Sequence, residues 1–101
     1  MKLYISGAIS SDPDWYNKFN TVEKRLQEKY TDAVIFNPIL TSKYADKISY
    51  EDFMTIDMAI IDICDTIFFL RDWGNSKGAV REYHYALSKN KNIIMEENFV
   101  W

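Results

Sequence analysis

The chain has 101 residues, of which 48% are hydrophobic and 27% charged, and its formal net charge is −3. This size and composition predict a single globular domain spanning residues 1–101, and the negative charge argues against a nucleic-acid polymer as partner. The longest apolar run is interrupted by Asp57, Asp62 and Asp65, which excludes a membrane span there. Cys64 is the only cysteine, and the first residues lack the long apolar stretch of a signal peptide, so we expect a cytoplasmic protein without disulfides.

The first half of the chain predicts a strand, a helix, a second strand and a loop. The first strand is "KLYIS", from Lys2 to Ser6. The following helix is expected to have Asp12 as its N-cap and Pro13 at its first helical position. The sequence "AVIFNP" predicts a second strand that is ended by Asn37 and Pro38, and residues 39–48 predict a loop.

The second half continues the same alternation. Ser49 and Asp52 form a variant capping box for a helix that reaches about Ile63. "TIFFL", residues 66–70, predicts a buried strand, the loop "DWGNSKG" leads into a third helix, and "NIIME" predicts a fourth strand. Alternating strands and helices predict an α/β fold with a parallel sheet covered on both faces, which binds ligands at the carboxyl ends of its strands.

Glu82 is the most unusual charged residue of the third helix. Its neighbours at helical spacing are Gly78, Ala79, Tyr85 and Ala86, so the carboxylate is expected on an apolar face. Its place near the helix start favours an ionised, nucleophilic acid. The alternative is that Glu82 caps its own helix or pairs with a neighbouring cation such as that of residue 77 or 81.

Asp57 interrupts the apolar face of the second helix in the same way. A buried lone carboxylate raises its pKa or finds a partner, so the alternative is an aspartate satisfied by a backbone group or a tyrosine. Together, an acid favoured as an anion (Glu82) and an acid pushed towards its protonated form (Asp57) suit a nucleophile and a general acid at a glycosidic carbon.

The loops that follow the first and third strands could bind a phosphate or a sugar hydroxyl. "SGAISS" offers Gly7 for a tight turn and Ser10 close to a helix start, and Ser76 and Gly78 precede the third helix in the same way. Neither loop is a Walker or dinucleotide motif, and an ordinary turn is the alternative. His84 is expected at the surface and not as a catalytic base, and the scattered acids predict no metal site or cofactor.

Three segments carry a family resemblance: "MKLYISGAIS", "TIDMAIIDICDTIFFLRDW" and "SKGAVREYHYA". They resemble the nucleoside 2-deoxyribosyltransferase-like superfamily, particularly its small phage and bacterial branch. The resemblance implies a flavodoxin-like three-layer sandwich with four or five parallel strands. It also implies cleavage of the N-glycosidic bond of a 2'-deoxynucleoside or its 5'-monophosphate through a glycosyl-enzyme intermediate, without a cofactor.

The resemblance assigns roles to residues by motif position. Glu82 would be the nucleophile, Asp57 the acid that assists departure of the base, and Tyr4 a residue that orients the glutamate. The loop around the sugar and phosphate would consist of Gly7, Ala8, Ile9 and Ser10. A homodimer or higher homo-oligomer is also expected.

Ser76 separates two branches of this superfamily. The transferases tend to have an aspartate six residues before the nucleophile, whereas the 2'-deoxynucleoside 5'-phosphate N-hydrolases have a serine that contacts the phosphate. A serine hydroxyl can donate to a phosphate that an aspartate would repel, so the resemblance favours hydrolysis of a monophosphate.

Two other readings remain open. The first loop, "SSDPD", lacks the arginine that is usual in the hydrolases, which favours a non-catalytic nucleotide-binding module. An interaction domain is the other alternative, with Trp73, Tyr83, Phe99 and Trp101 as an apolar surface, although these aromatics would equally suit a homodimer interface.

Overall fold

A central parallel sheet organises the molecule. The computed structural model describes residues 1–38, 42–44 and 46–101. Within them the strands are β1 (Lys2–Ser6), β2 (Val34–Phe36), β3 (Thr66–Phe69) and β4 (Asn92–Met95), and all neighbouring pairs are parallel. The order β2-β1-β3-β4 matches the flavodoxin-like arrangement, in which strand order reverses beside β1.

The helices cover the sheet on both faces. They are α1 (Trp15–Lys29), α2 (Tyr50–Ile63) and α3 (Lys77–Ser88), and short 3-10 turns occupy Trp73–Asn75 and Glu96–Asn98. Side chains of α1 pack with one face of β1 and β3 in a core of Leu3, Ile5, Phe19, Val22, Leu26, Phe68 and Leu70. The opposite core, formed with α2 and α3, contains Tyr4, Ile61, Cys64, Ile67, Phe69 and Ala86. The fold is therefore the expected three-layer α/β sandwich.

The start of α1 differs from the prediction. The helix begins at Trp15 with Asp14 at the N-cap, so Asp12 is not the N-cap and Pro13 is not the first helical residue. The Asp12 carboxylate instead accepts from the Asp14 N–H (2.9 Å) and pairs with Lys18 Nζ (2.7 Å), which holds a turn ahead of the helix. Asp12 thus closes a turn ahead of the helix with one carboxylate oxygen and pairs with Lys18 through the other.

Other boundaries follow the sequence more closely. The capping box of Ser49 and Asp52 is present, with the Asp52 N–H donating to Ser49 Oγ at 3.0 Å. The second strand is Val34–Phe36, and it ends before Asn37 and Pro38 as expected. Of the loop predicted over residues 39–48, residues 39–41 and 45 lie outside the described residues. In the described part of the chain, no helix combines the length and apolar character needed to cross a bilayer.

Candidate active site

Three elements bring a pair of carboxyl groups and two hydroxyls together. Tyr4 and Ser6 point to the same face of β1, Asp57 comes from α2 and Glu82 from α3. A cavity of about 340 Å³ opens beside them. Its described lining consists of Tyr4, Gly7, Ile9, Ser10, Pro38, Ser42, Tyr50, Phe53, Met54, Asp57, Ser76, Lys77, Gly78, Ala79 and Glu82. This volume lies within the range of small-molecule sites, about 300–1,000 Å³.

The Glu82 carboxylate is fixed by two hydroxyl groups. Tyr4 Oη donates to Oε2 at 3.0 Å, and Ser6 Oγ donates to Oε1 at 2.6 Å. The residue is only 4% exposed. Arg81, a neighbour that could have neutralised it, pairs with Glu51 instead. The carboxylate is therefore held at the cavity wall and does not cap its own helix.

Asp57 contributes a second buried carboxyl group to the same wall. It is 8% exposed, and its Oδ1 atom has no hydrogen-bond partner among the described residues. A buried polar atom without a partner is costly, and such atoms are few in folded proteins. An oxygen that is unsatisfied at a cavity is available to a polar group of a ligand.

Burial dominates the protonation of these groups. It raises the pKa of Glu82 well above its ordinary value, and the nearby negative charge of Asp57 raises that pKa further, against the hydroxyls of Ser6 and Tyr4, which lower it. Burial also raises the pKa of Asp57 and that of Tyr4. The helix start was expected to favour an ionised Glu82, whereas burial shifts the pKa of this carboxyl group in the opposite direction. Glu82 lies beyond the first turn of α3, where the helix dipole acts most strongly.

The loop after β1 enters the cavity at Gly7, Ile9 and Ser10 but not at Ala8. The Ala8 N–H donates to Asp72 Oδ1 at 3.1 Å, and the Ala8 carbonyl accepts from Lys18 Nζ at 3.0 Å. Lys18 also pairs with the carboxylates of Asp12 and Asp72. The expected contact of Ala8 with a ligand is thus replaced by a tether that fixes the loop.

The start of α3 also lines the cavity. Ser76 Oγ accepts from the Ala79 N–H at 3.1 Å, so Ser76 is the N-cap of the helix. Lys77 is exposed, and its Nζ lies 5.1 Å from the ring centre of Tyr50. None of the described carboxylates lies within ion-pair distance of this ammonium group. The positive helix end and the unpaired cation favour an anionic ligand group.

Sequence reasoning missed part of the site. Ser6 was not predicted, although the alternation of side chains along a strand places it on the same face as Tyr4. Lys77 was considered only as a partner of Glu82. The remaining missed residues line the cavity and are mainly apolar: Pro38, Ser42, Tyr50, Phe53, Met54 and Ala79. Their convergence depends on how α2 packs, which periodicity alone does not specify.

The structure also shows where the predicted surface histidine and the predicted aromatic surface lie. His84 is exposed, as expected. The predicted aromatic surface is partly consumed within the chain, because Trp73 stacks on Tyr83 with ring centres 4.7 Å apart and Phe99 contacts Trp101 at 4.8 Å. Within the described ranges, no group of three or more His, Cys, Asp or Glu side chains could hold a metal ion.

Comparison with solved structures identifies the same fold in a known enzyme. The chain is similar to the 2-desoxiribosyltransferase from Leishmania mexicana, with a TM-score of 0.69 and 20% sequence identity. The match covers 93% of this chain and 62% of that one, so this chain spans less than two thirds of the length of the relative. The predicted resemblance is thereby confirmed at the level of fold.

Sequence comparisons give a family. None of the curated proteins matches the chain. The model of the family described as "Domain of unknown function (DUF4406)" matches residues 1–95. This match includes β1 to β4, α1 to α3 and every residue of the site described above. The chain therefore belongs to the DUF4406 family.

Proposed function

We propose that the protein cleaves the N-glycosidic bond of a 2'-deoxynucleoside 5'-monophosphate, with hydrolysis favoured over transfer to another base. One observation carries the proposal: a buried glutamate, fixed by two hydroxyl donors, faces a cavity beside a second carboxyl group with a free oxygen. The shared fold with a 2-desoxiribosyltransferase supports a nucleoside as the substrate class.

The proposed reaction uses the two carboxyl groups in opposite protonation states. The raised pKa of each acid favours retention of one proton by the pair. With that proton on Asp57, Glu82 is the anion that the hydroxyls of Tyr4 and Ser6 stabilise. Glu82 attacks the anomeric carbon, the bond from that carbon to the base nitrogen breaks, and Asp57 gives its proton to the departing base.

Water completes the proposed cycle. The Asp57 carboxylate takes a proton from a water molecule, whose oxygen bonds to the anomeric carbon while the ester bond to Glu82 breaks. The sugar leaves with its original anomeric configuration, and Asp57 again holds the proton. A second base in place of water would make the protein a transferase.

The lining of the cavity includes groups suited to a base and groups suited to a phosphate. Apolar side chains of Ile9, Pro38, Phe53 and Met54 offer surfaces on which a planar base can pack. The Ser76 hydroxyl, the Lys77 ammonium and the N-terminus of α3 suit a phosphate dianion. Lys77 thus supplies a cation that the first loop lacks.

A non-catalytic nucleotide-binding module is the second candidate. The observation that favours it is the strongly raised pKa of Glu82, because a protonated glutamate is a poor nucleophile. Such a module would bind the same nucleotides and leave them intact. It would also keep its affinity when Glu82 is replaced by glutamine.

Free base, detected by chromatography, tests the proposal. Each 2'-deoxynucleoside and its 5'-monophosphate is incubated with wild type, with Glu82→Gln and with Glu28→Gln, an exposed control on α1. We expect base release by wild type and Glu28→Gln and a loss of about 1,000-fold or more in Glu82→Gln. An added acceptor base distinguishes transfer from hydrolysis. Intact substrates combined with ligand-induced thermal stabilisation would establish the binding module instead.

The preference for a phosphate is tested separately with Lys77→Met. We expect KM for monophosphates to rise roughly tenfold while KM for nucleosides changes little, since only the phosphate loses its cation. Lys24→Met, which removes an exposed lysine on α1, serves as the control. Equal effects on both substrate classes would show that Lys77 does not contact the phosphate.

A further inference from the structure

Ser6 is buried away from the cavity, but its hydroxyl contacts the Glu82 carboxylate. It is the last residue of β1 and only 1% exposed, and it does not line the cavity. Its backbone pairs with Phe69 of β3, and its carbonyl accepts from the Leu70 N–H at 2.8 Å. The sheet therefore fixes the Cβ of Ser6, so the hydroxyl has little freedom except rotation about its own side-chain bonds.

The hydroxyl of Ser6 binds one oxygen of Glu82 while Tyr4 binds the other. The Ser6 Oγ to Oε1 distance of 2.6 Å is at the short end for hydroxyl donors and typical of a bond to a carboxylate. The Tyr4 Oη to Oε2 distance is 3.0 Å. Both donors come from the same strand, so the two carboxylate oxygens are held against one rigid element.

Two hydrogen-bond donors restrain the rotation of the Glu82 carboxylate, whereas one donor would not. The terminal torsion of a glutamate side chain has a broad, roughly two-fold energy profile, so a carboxylate held by one oxygen can still turn about it. A second donor on the other oxygen fixes the plane of the group. The direction of the nucleophilic lone pairs towards the cavity then depends on Ser6 as much as on Tyr4.

We infer that Ser6 is a positioning residue that fixes the carboxylate plane of Glu82 for attack on the sugar. This inference rests on the proposed function, because it takes Glu82 as the nucleophile. Ser6 acts through Glu82 and touches no substrate. The Ser6 hydroxyl also lowers the pKa of Glu82, in opposition to burial. The same hydrogen bond therefore both orients the carboxylate and stabilises its anionic form.

The test compares Ser6→Ala with Ser88→Ala, which removes a serine hydroxyl at the far end of α3 that donates to the Tyr85 carbonyl. For Ser6→Ala we expect kcat to fall roughly tenfold to a hundredfold with KM within about twofold of wild type. The pH at which activity rises should move upward, because Glu82 loses a donor that favours its anion. Ser88→Ala should match wild type in all three respects.

A second readout does not depend on turnover. Carbon-13 NMR of labelled glutamate follows the titration of Glu82, whose signal is identified by its absence in Glu82→Gln. We expect an upward shift of that titration in Ser6→Ala and none in Ser88→Ala. An active wild type with unchanged pH profile and titration in Ser6→Ala would overturn the inference. If Ser6→Ala shifts the titration but wild type proves inactive, the proposed function is overturned, and with it the role of Ser6 in positioning Glu82 for attack.

Discussion

Glu82→Gln is expected to be more stable than wild type, by a margin that grows as the pH rises, although it removes the proposed nucleophile. The side chain keeps its shape, and its amide oxygen still accepts one of the two hydroxyl hydrogen bonds. What disappears is a group whose pKa is raised on folding, chiefly by burial and then by the charge of Asp57.

The sign and size of the effect follow from proton linkage. An acid with a raised folded pKa contributes its stability fully below its unfolded pKa of about 4.3 and loses it as the pH rises towards the folded value. In that window the folded state binds one more proton than the unfolded state, so wild-type stability falls by up to about 1.4 kcal/mol per pH unit. Over the two units from pH 5 to pH 7, Glu82→Gln should therefore gain up to about 3 kcal/mol on wild type.

Urea unfolding across that pH range measures the difference directly. A gain of 1 kcal/mol also corresponds to about 4–8 °C in Tm for a domain of this size, so thermal unfolding offers an independent check. Glu28→Gln, on the surface of α1, should show no pH-dependent gain. The reasoning would be refuted by a stability difference that is the same at pH 5 and pH 7, or by a Glu82→Gln protein that is less stable at both.

Three further substitutions separate structural from ligand-related constraints. Gly78→Ala should stabilise α3 by up to about 1 kcal/mol, because the new Cβ lies at ordinary contact distances of 3.5–3.9 Å, yet it should weaken nucleotide binding in calorimetry by narrowing the cavity. Gly7→Ala should instead cost about 1–3 kcal/mol in urea unfolding, since its Cβ would lie 2.7–3.0 Å from Leu70 carbons. Lys18→Met should cost about 1 kcal/mol, less at high salt, because it frees Asp72 and the loop after β1. A destabilised Gly78→Ala, a neutral Gly7→Ala or a salt-independent Lys18→Met would contradict these expectations.

Much of the fold was predictable because its signals are local. The limits of β1 at Lys2 and Ser6 and the capping box at Ser49 follow from residue patterns within a few positions. The predicted start of α1 was wrong because Asp12 closes a separate turn through the Asp14 N–H, and the helix begins only at Trp15. The flavodoxin-like sheet order was expected from the family resemblance, since alternation of elements and the handedness of crossovers also allow other doubly wound orders.

Several members of the candidate site were predictable, but its other residues and its electrostatics were not. Tyr4, Asp57 and Glu82 stand out because polar groups occur among apolar neighbours, and the structure brings all three to one cavity. Ser6 gave no such signal, since a serine at a strand end is unremarkable without its partner. The direction of the pKa shift of Glu82 was not predicted, because burial, which depends on the whole fold, outweighs the effect of the helix start.

The sequence separation of the site residues also determines when the site can form during folding. Tyr4 and Glu82 are 78 residues apart, and Ser6 and Glu82 are 76 apart, yet both pairs are in direct contact. The strand that supplies the hydroxyls is synthesised first and must wait for β3 and α3, which complete its surroundings. Contacts of such long separation in sequence form late and cooperatively in folding. Recovery of ligand binding during refolding should therefore coincide with completion of the whole domain, and no fragment ending before α3 should bind.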